Sequence, residues 1–338
     1  DKKRQNFKSH VAAAYDGTAS ACQHASAGLK SYSLAESVNV TTSTDDDPLA
    51  DLYSDVATAM VKILEDHTPE EIAHLSAAKG KDDRSIDACR SIKEAFLSAD
   101  YSTRRMCAKK SVMCIGYGQQ AQGRRDNLID VFKKGEIKVE CTPYEFGSIL
   151  GWALELALDE AAAVAKTMNE FYSKSIRAMG EKPVEIVSPA GFLMMQNYHK
   201  TEDEHVITGL NKKQLRIQFK KMSDDININK QCAAASPNAT HQNDGAHCLR
   251  TADRAVSEGM SIICVHDDFA VHCADGQRLG VILREEFVDM YKVSPLESYR
   301  QQLIEQGGKD EELPQIPYAP EDDRLNIEEC LDSVNFFA

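Results

Sequence analysis

The chain has no apolar run of membrane-spanning length, so its 338 residues offer no transmembrane helix. It lacks an initiator methionine, and the opening DKKRQNFKSH has no apolar signal core. Such a start reads as the edge of a longer polypeptide. Ten cysteines are present but no Cys-x-x-Cys pair, and several sit inside helical or strand patterns. That scatter argues against structural zinc and a disulfide scaffold, and for free thiols in a reducing compartment. Positive charge is scarce: 39 Lys and Arg against 53 Asp and Glu leave a net charge of −14. Because phosphate contacts dominate nucleic-acid affinity, this balance argues against a general DNA binder. It allows a local basic channel or a basic partner. No internal repeat is visible.

What remains is an ordinary globular composition, 42% hydrophobic and 27% charged, long enough for two or three packed lobes. Val11 to Tyr15 reads as a strand entering a Gly/Ser/Ala-rich turn and helix. Pro48, after three aspartates, predicts a helix start, and Leu52, Val56, Met60 and Ile63 supply an apolar stripe. Thr68-Pro69 opens another helix that Gly80 ends, and Ser85 to Leu97 forms a third. Ser102 to Phe132 is helical, broken near Gly116, Gly118 and Gly123. Thr142 to Met179 is the longest helical pattern. Val184 to Val187 is a strand, and His205 to Ile217 is a hairpin turning at Gly209-Leu210-Asn211. Thr240 to His247 is a glycine-containing turn before a helix from His247 to Gly259. Ser261 to Val265 and Phe269 to His272 are strands meeting at His266-Asp267-Asp268. Two more helices, Arg278 to Tyr291 and Leu296 to Gln306, precede a loop over 307–324.

Three separated stretches carry chemistry. Asp16 ends an apolar strand, which holds a carboxylate rigidly with its head exposed, and Gly17 lets a backbone carbonyl approach the same ion. Taken alone, Asp-Gly is more commonly a tight turn. Asp267 sits at a hairpin tip flanked by SIICV and FAV, and a half-buried carboxylate there needs a partner such as a metal. Taken alone, an acidic tip is a solvated turn, and Asp268 is a weaker candidate than Asp267. Arg105, Lys109, Met113 and Tyr117 recur at every fourth position and share one helix face. The Arg fork and Lys point charge suit phosphates, although a solvated basic stripe is the commoner explanation of these residues taken alone. THQNDGAH packs two histidines, His241 and His247, into one segment; a His placed to bond a ligand hydroxyl and a plain helix-capping loop are readings of comparable weight. Two carboxylates and two cations form the inventory of two-metal phosphoryl transfer.

These motifs resemble, in order, those of the single-subunit RNA polymerases of phages and mitochondria. DGTASACQHASA (16–27) is similar to that family's first palm motif. Arg-x₃-Lys-x₇-Tyr-Gly, Arg105 to Gly118, is similar to its fingers motif. THQNDGAH (240–247) and VHDDF (265–269) resemble its last palm segments, and Phe337-Ala338 its ending. One such motif is weak, whereas four in collinear order are strong. The resemblance implies an α/β right-hand polymerase fold. Its palm, around a small antiparallel sheet, would span 1–34 and 241–338. Mostly helical fingers would span 35–240, with a promoter-hairpin-like segment near 200–217. Asp16, Asp267 and the Gly17 carbonyl would hold two Mg²⁺ ions. Arg105 and Lys109 would bind the triphosphate, Lys109 also protonating the leaving group. Tyr117 and His241 would sense the ribose 2′-hydroxyl, and Met113, Gly118 and His266 would complete the substrate-binding set.

The implied activity is DNA-directed RNA synthesis from ribonucleoside triphosphates on a DNA template. Related DNA polymerases share the Arg-Lys-Tyr-Gly spacing but carry a glutamate shortly after the first aspartate. Here Gly, Thr, Ala, Ser, Ala and Cys follow Asp16. A DNA polymerase of that type and a catalytically silent assembly subunit are the competing readings. The family's N-terminal domain and thumb have no counterpart in this sequence, and Gln122 stands where the family has an aromatic residue. The first arm of the hairpin, Thr201-Glu202-Asp203-Glu204-His205, would repel phosphates. The resemblance therefore implies a second chain supplying the missing half, and a promoter-recruitment factor, as in two-subunit phage enzymes. The host cytoplasm is the expected location.

Overall fold

The structure is a computed structural model that describes residues 11–77, 83–210 and 213–337, with 159, 160, 162, 210 and 213–215 described by backbone alone. The chain is mixed α/β. Strand β1 (Ala12–Asp16) leads into helices α1 (Ser20–Leu29), α2 (Tyr32–Ser37) and α3 (Leu52–Asp66). Helices α4 (Pro69–Leu75), α5 (Ile86–Ser98), α6 (Tyr101–Val112), α7 (Ala121–Lys133), α8 (Pro143–Ala157) and α9 (Asp159–Met179) follow. Two hairpins come next, β2 (Val184–Val187) with β3 (Leu193–Gln196), and β4 (His199–Leu210) with β5 (Lys213–Ile226). Helix α10 (Ile228–Ser257), strands β6 (Ile262–Val265) and β7 (Asp268–His272), and helices α11 (Gly276–Lys292) and α12 (Pro295–Glu305) complete the fold.

Three strands from the two ends of the chain make one antiparallel sheet in the order β1-β7-β6. Its register sets Tyr15 opposite Phe269 and Asp16 opposite Asp268, while Val265 pairs with Asp268 across the β6–β7 turn. Alternation then divides the faces. Phe269 and Val271 are buried under α11, whereas Asp16, Ile263, Val265 and Asp268 are exposed on the other side. The connection between β6 and β7 is two residues long, and His266 adopts φ 57° there. Histidine is among the few non-glycine residues enriched in that region. The C-terminal tail seals this unit. Phe337 bridges Gly17, Gln23 Nε2 donates to the Phe336 carbonyl at 2.9 Å, and the two phenyl rings pack with Phe269, Phe287 and His247.

Several sequence expectations change in detail. Helix α3 starts later than Pro48: Asp51 is its cap, accepting from the backbone N–H groups of Tyr53 and Ser54. The helix holding Arg105 and Lys109 stops at Val112, so Met113 is its C-cap and Tyr117 lies in the turn that follows. Gly123 does not break α7, because one glycine costs a helix only ~1 kcal/mol against alanine. The long pattern from Thr142 to Met179 is two helices meeting at Leu158, whose right-handed dihedrals need no glycine or proline as signal. The hairpin is longer than 205–217, with Glu202 opposite Lys221 and Asp203 opposite Lys220. Its expected turn falls partly on Asn211, outside the described residues, as do Gly80, Ala338 and residues 1–10.

The largest correction concerns 240–247. This segment is not a turn. It lies within α10, a continuous 30-residue helix with Pro237 inside it. Cys232, Ala235, Ala239, Gln242 and Ala246 recur at three- and four-residue spacing and are all buried, on a helix that packs against α1, α9 and α11. That burial outweighs the helix-breaking tendency of Pro237 and of Gly245, the glycine of the expected turn.

Candidate active site

A cleft of about 340 Å³ opens between the β1–α1 junction, the start of α3 and the exposed side of α6. Its wall includes Asp16, Gly17, Asp51, Tyr53, Arg105, Lys109, Met113, Tyr117 and Asp267. The volume falls within the range of small-molecule sites. Seven residues singled out in the sequence thus meet at one place, from three regions of the chain.

The acidic wall follows from the sheet. Asp16 ends β1, and Asp267 occupies the β6–β7 turn, where its backbone carbonyl accepts from Gly17 N–H at 3.1 Å. A side chain at position 17 would begin 3.2 Å from Asp267 Oδ2 and 3.4 Å from Gln23 Oε1, so glycine keeps the two carboxylates' approach clear. Burial raises the Asp16 carboxyl above its usual range, and the neighbouring Asp268 charge adds to this, against the opposing Lys109 charge and Gly17 N–H. Burial pushes Asp267 further, to about 6, with the charges of Asp244 and Asp16 adding to it. Asp268 is exposed and does not line the cleft.

Beneath these lies a buried layer that sequence reasoning missed. Asp244 on α10 accepts a short hydrogen bond from Ser20 and faces His24 Nε2 at 3.5 Å. Tyr291 holds His24 from the far side, with its hydroxyl 2.7 Å from Nδ1. Burial alone would raise Asp244, but the His24 and Ser20 contacts outweigh it and hold the carboxyl near 2. Asp244 is therefore a fixed negative charge next to Asp267. Nothing in the sequence marks this layer, since Ser20, His24 and Asp244 are polar residues within stretches that read as turn and helix start.

The cationic wall is built from α6 and α3. Arg105 donates to Asp51 through Nε at 2.5 Å and Nη2 at 3.1 Å. Lys109 is exposed, forms no ion pair among the described residues, and sits 5.5 Å from the Tyr53 ring, which Arg105 approaches at 5.3 Å. Tyr117 is partly buried, with its phenol raised by burial and by the charges of Asp244 and Asp267. The exposed His241 ring stacks on it, centroids 4.5 Å apart at 21°. Gly118 follows at φ 76°, and a side chain there would collide with Asn169. Neither Gly118 nor the exposed His266 lines the cleft. Asp51 and Tyr53 were not foreseen, because one reads as a helix cap and the other interrupts an apolar stripe.

The donor chemistry suits a hard divalent cation. Asp16, Asp267 and the Gly17 carbonyl are oxygen donors, and Asp244 adds negative charge that a cation would offset. No group of three or more His, Cys, Asp or Glu converges among the described residues. Such a two-carboxylate set fits Mg²⁺, which keeps water and substrate oxygens in its shell.

An acidic pair at a sheet's end thus faces an Arg/Lys helix across one cleft. The profile of the DNA-dependent RNA polymerase family matches residues 1–333, and the chain belongs to that family. It is similar to the mitochondrial DNA-directed RNA polymerase 1 of Arabidopsis thaliana, 25% identical over 97% of this chain and 31% of that protein. It is 27% identical to the mitochondrial DNA-directed RNA polymerase 1B of Nicotiana tabacum over 95% of this chain and 30% of that one. A probable DNA-directed RNA polymerase of Neurospora crassa is 25% identical over 86% of this chain and 32% of its own length. The chain therefore spans about a third of the length of these relatives. No helix among the described residues is long and apolar enough to cross a membrane.

Proposed function

We propose that this chain carries the nucleotidyl-transfer centre of a DNA-directed RNA polymerase, extending RNA on a DNA template from ribonucleoside triphosphates. In this reading the β1-β7-β6 sheet with α1, the C-terminal part of α10 and α11 is the palm, about 1–34 and 241–338. Residues 35–240 are the fingers. The observation that carries it is the meeting of Asp16 and Asp267 with Arg105, Lys109 and Tyr117 around one cleft.

Asp16, Asp267 and the Gly17 carbonyl would hold two Mg²⁺ ions, which when bound lower the pKa of the RNA 3′-hydroxyl and stabilise the leaving pyrophosphate. Lys109, exposed and without an ion pair among the described residues, neutralises the triphosphate and supplies a proton to the departing pyrophosphate. Arg105 offers the triphosphate the N–H groups that Asp51 leaves free. Tyr117, backed by His241, hydrogen-bonds the ribose 2′-hydroxyl, and such a bond separates ribonucleotides from deoxyribonucleotides. The seating of Tyr117 under His241 supports an RNA-making rather than a DNA-making site. Template and transcript are the partners this requires. The β4–β5 hairpin, with Lys220 and Lys221 opposite Asp203 and Glu202, is locally charge-balanced, which favours a recruitment factor for promoter choice.

The test is primer extension by the assembled polymerase with ATP against dATP. Wild type should prefer the ribonucleotide strongly, and Tyr117→Phe should lose most of that preference while keeping much of its rate. A wild-type preference for dATP would refute the reading.

A further inference from the structure

Arginine carries five N–H donors in a rigid planar fork, and where a fork points depends on what holds it. On Arg105, Asp51 takes the side edge, Nε to Oδ2 and Nη2 to Oδ1. That leaves both N–H groups of Nη1 and one of Nη2, the end of the fork, for another acceptor. Asp51 is itself fixed. Its Oδ1 accepts from the backbone N–H groups of Tyr53 at 3.1 Å and Ser54 at 3.3 Å, and its Oδ2 accepts from Ser54 Oγ at 2.5 Å. The carboxylate thus sits at the positive N-terminal end of α3, bonded to that helix and to α6 at once. Burial would raise it, but Arg105 and Ser54 outweigh that and keep it ionised. From the same first turn, the Tyr53 ring approaches both Arg105 and Lys109.

We infer that Asp51 is a positioning residue for the nucleotide. It holds the Arg105 guanidinium by its side edge and so presents the end edge to the triphosphate in the cleft. The inference rests on the polymerase reading above and assigns to the start of α3 the task of pre-orienting the phosphate-binding cation. Asp51 does not act as a competitor for Arg105, because its charge is already met by five donors and by the helix N-terminus. The triphosphate finds a pre-set fork and avoids the entropy of fixing a long side chain.

The experiment is single-nucleotide extension of a primed template by the assembled polymerase, with ATP varied at saturating Mg²⁺. Asp51→Asn keeps an equally good helix cap but loses the charge and replaces one acceptor with a donor. We expect its KM for ATP to rise about tenfold with kcat within about threefold, the pattern of lost substrate binding without lost chemistry. Asp51→Ser retains a capping oxygen and should show the same KM, so a folding defect peculiar to the amide is separable. Arg105→Ala should raise KM further, and Asp51→Asn added to it should change KM less than twofold, because the fork to be positioned is gone. A merely structural Asp51 would multiply its effect onto Arg105→Ala. That result, an unchanged KM in Asp51→Asn, or a lowered one, overturns the inference while a saturable wild-type response leaves the polymerase reading intact. A wild type that adds no ribonucleotide overturns both.

Discussion

Asp267→Asn should make the metal-free protein more stable at neutral pH. Asp267 is held among Asp16 and Asp244 with its carboxyl raised from 3.8 to about 6. Between those values the unfolded chain has released this proton while the native chain retains it, so native stability falls as pH rises through that window. At 1.36 kcal/mol per pKa unit the full difference is ~3 kcal/mol at pH 7, and solvent screening at a partly exposed group trims it to about 1–2 kcal/mol. Asparagine keeps the shape and removes the repulsion. Thermal unfolding in EDTA should place Asp267→Asn a few degrees above wild type at pH 7. The gap should close below about pH 3, where both native and unfolded Asp267 are protonated. Adding Mg²⁺ should reverse the order, since a bound cation stabilises the state that binds it and proton competition should weaken that binding below about pH 6. A variant no more stable than wild type in EDTA at pH 7 would refute the claim that burial, reinforced by the Asp244 and Asp16 charges, disfavours the Asp267 carboxylate.

Other expectations follow from packing. Gly116→Ala would bring a Cβ to 2.5 Å from Ala21 Cβ and 2.9 Å from the Ala21 carbonyl, where α1 meets the turn carrying Tyr117. The contact is with backbone and cannot swing aside, so thermal melts should show a loss of about 1–3 kcal/mol, accompanied by reduced ribose preference. Arg124 is nearly buried and bonds Glu155 through Nε at 2.8 Å and Nη2 at 2.6 Å, joining α7 to α8. Arg124→Ala should cost on the order of 3 kcal/mol in urea unfolding, because it strands Glu155. Paired Arg124→Met and Glu155→Leu should recover most of that.

Most strands and most helices of this fold were legible because their apolar spacing is regular. Val184–Val187 and Ile262–Val265 lie where strands were read, and the helix read from Ser85 to Leu97 runs Ile86–Ser98 with Ser85 as its cap, whereas the short β3 was missed. What failed was punctuation. Gly245 promised a turn where a buried 30-residue helix runs, and Leu158 gave no sign of dividing α8 from α9. Within the site, Asp16, Asp267, Arg105, Lys109 and Tyr117 stood out because their types and order carry chemistry. Asp51, Tyr53 and Asp244 did not. Their contributions depend on which side chain each one meets, and those meetings are set by tertiary packing between α3, α6, α1 and α10. Asp244 shows the limit best, as an unremarkable Asn-Asp-Gly in sequence and a buried charge under the acidic pair in the fold.

The account stands on Asp16 and Asp267 acting together as the acidic pair of one centre. Its direct test is ATP incorporation on a primed template by the assembled polymerase, comparing Asp16→Asn, Asp267→Asn and Asp268→Asn under saturating Mg²⁺. We predict a loss of at least about a thousandfold for each of the first two, given how far such centres depend on their metal-binding carboxylates, and a rate within about tenfold of wild type for the exposed Asp268. Near-normal incorporation by Asp16→Asn or Asp267→Asn would contradict it.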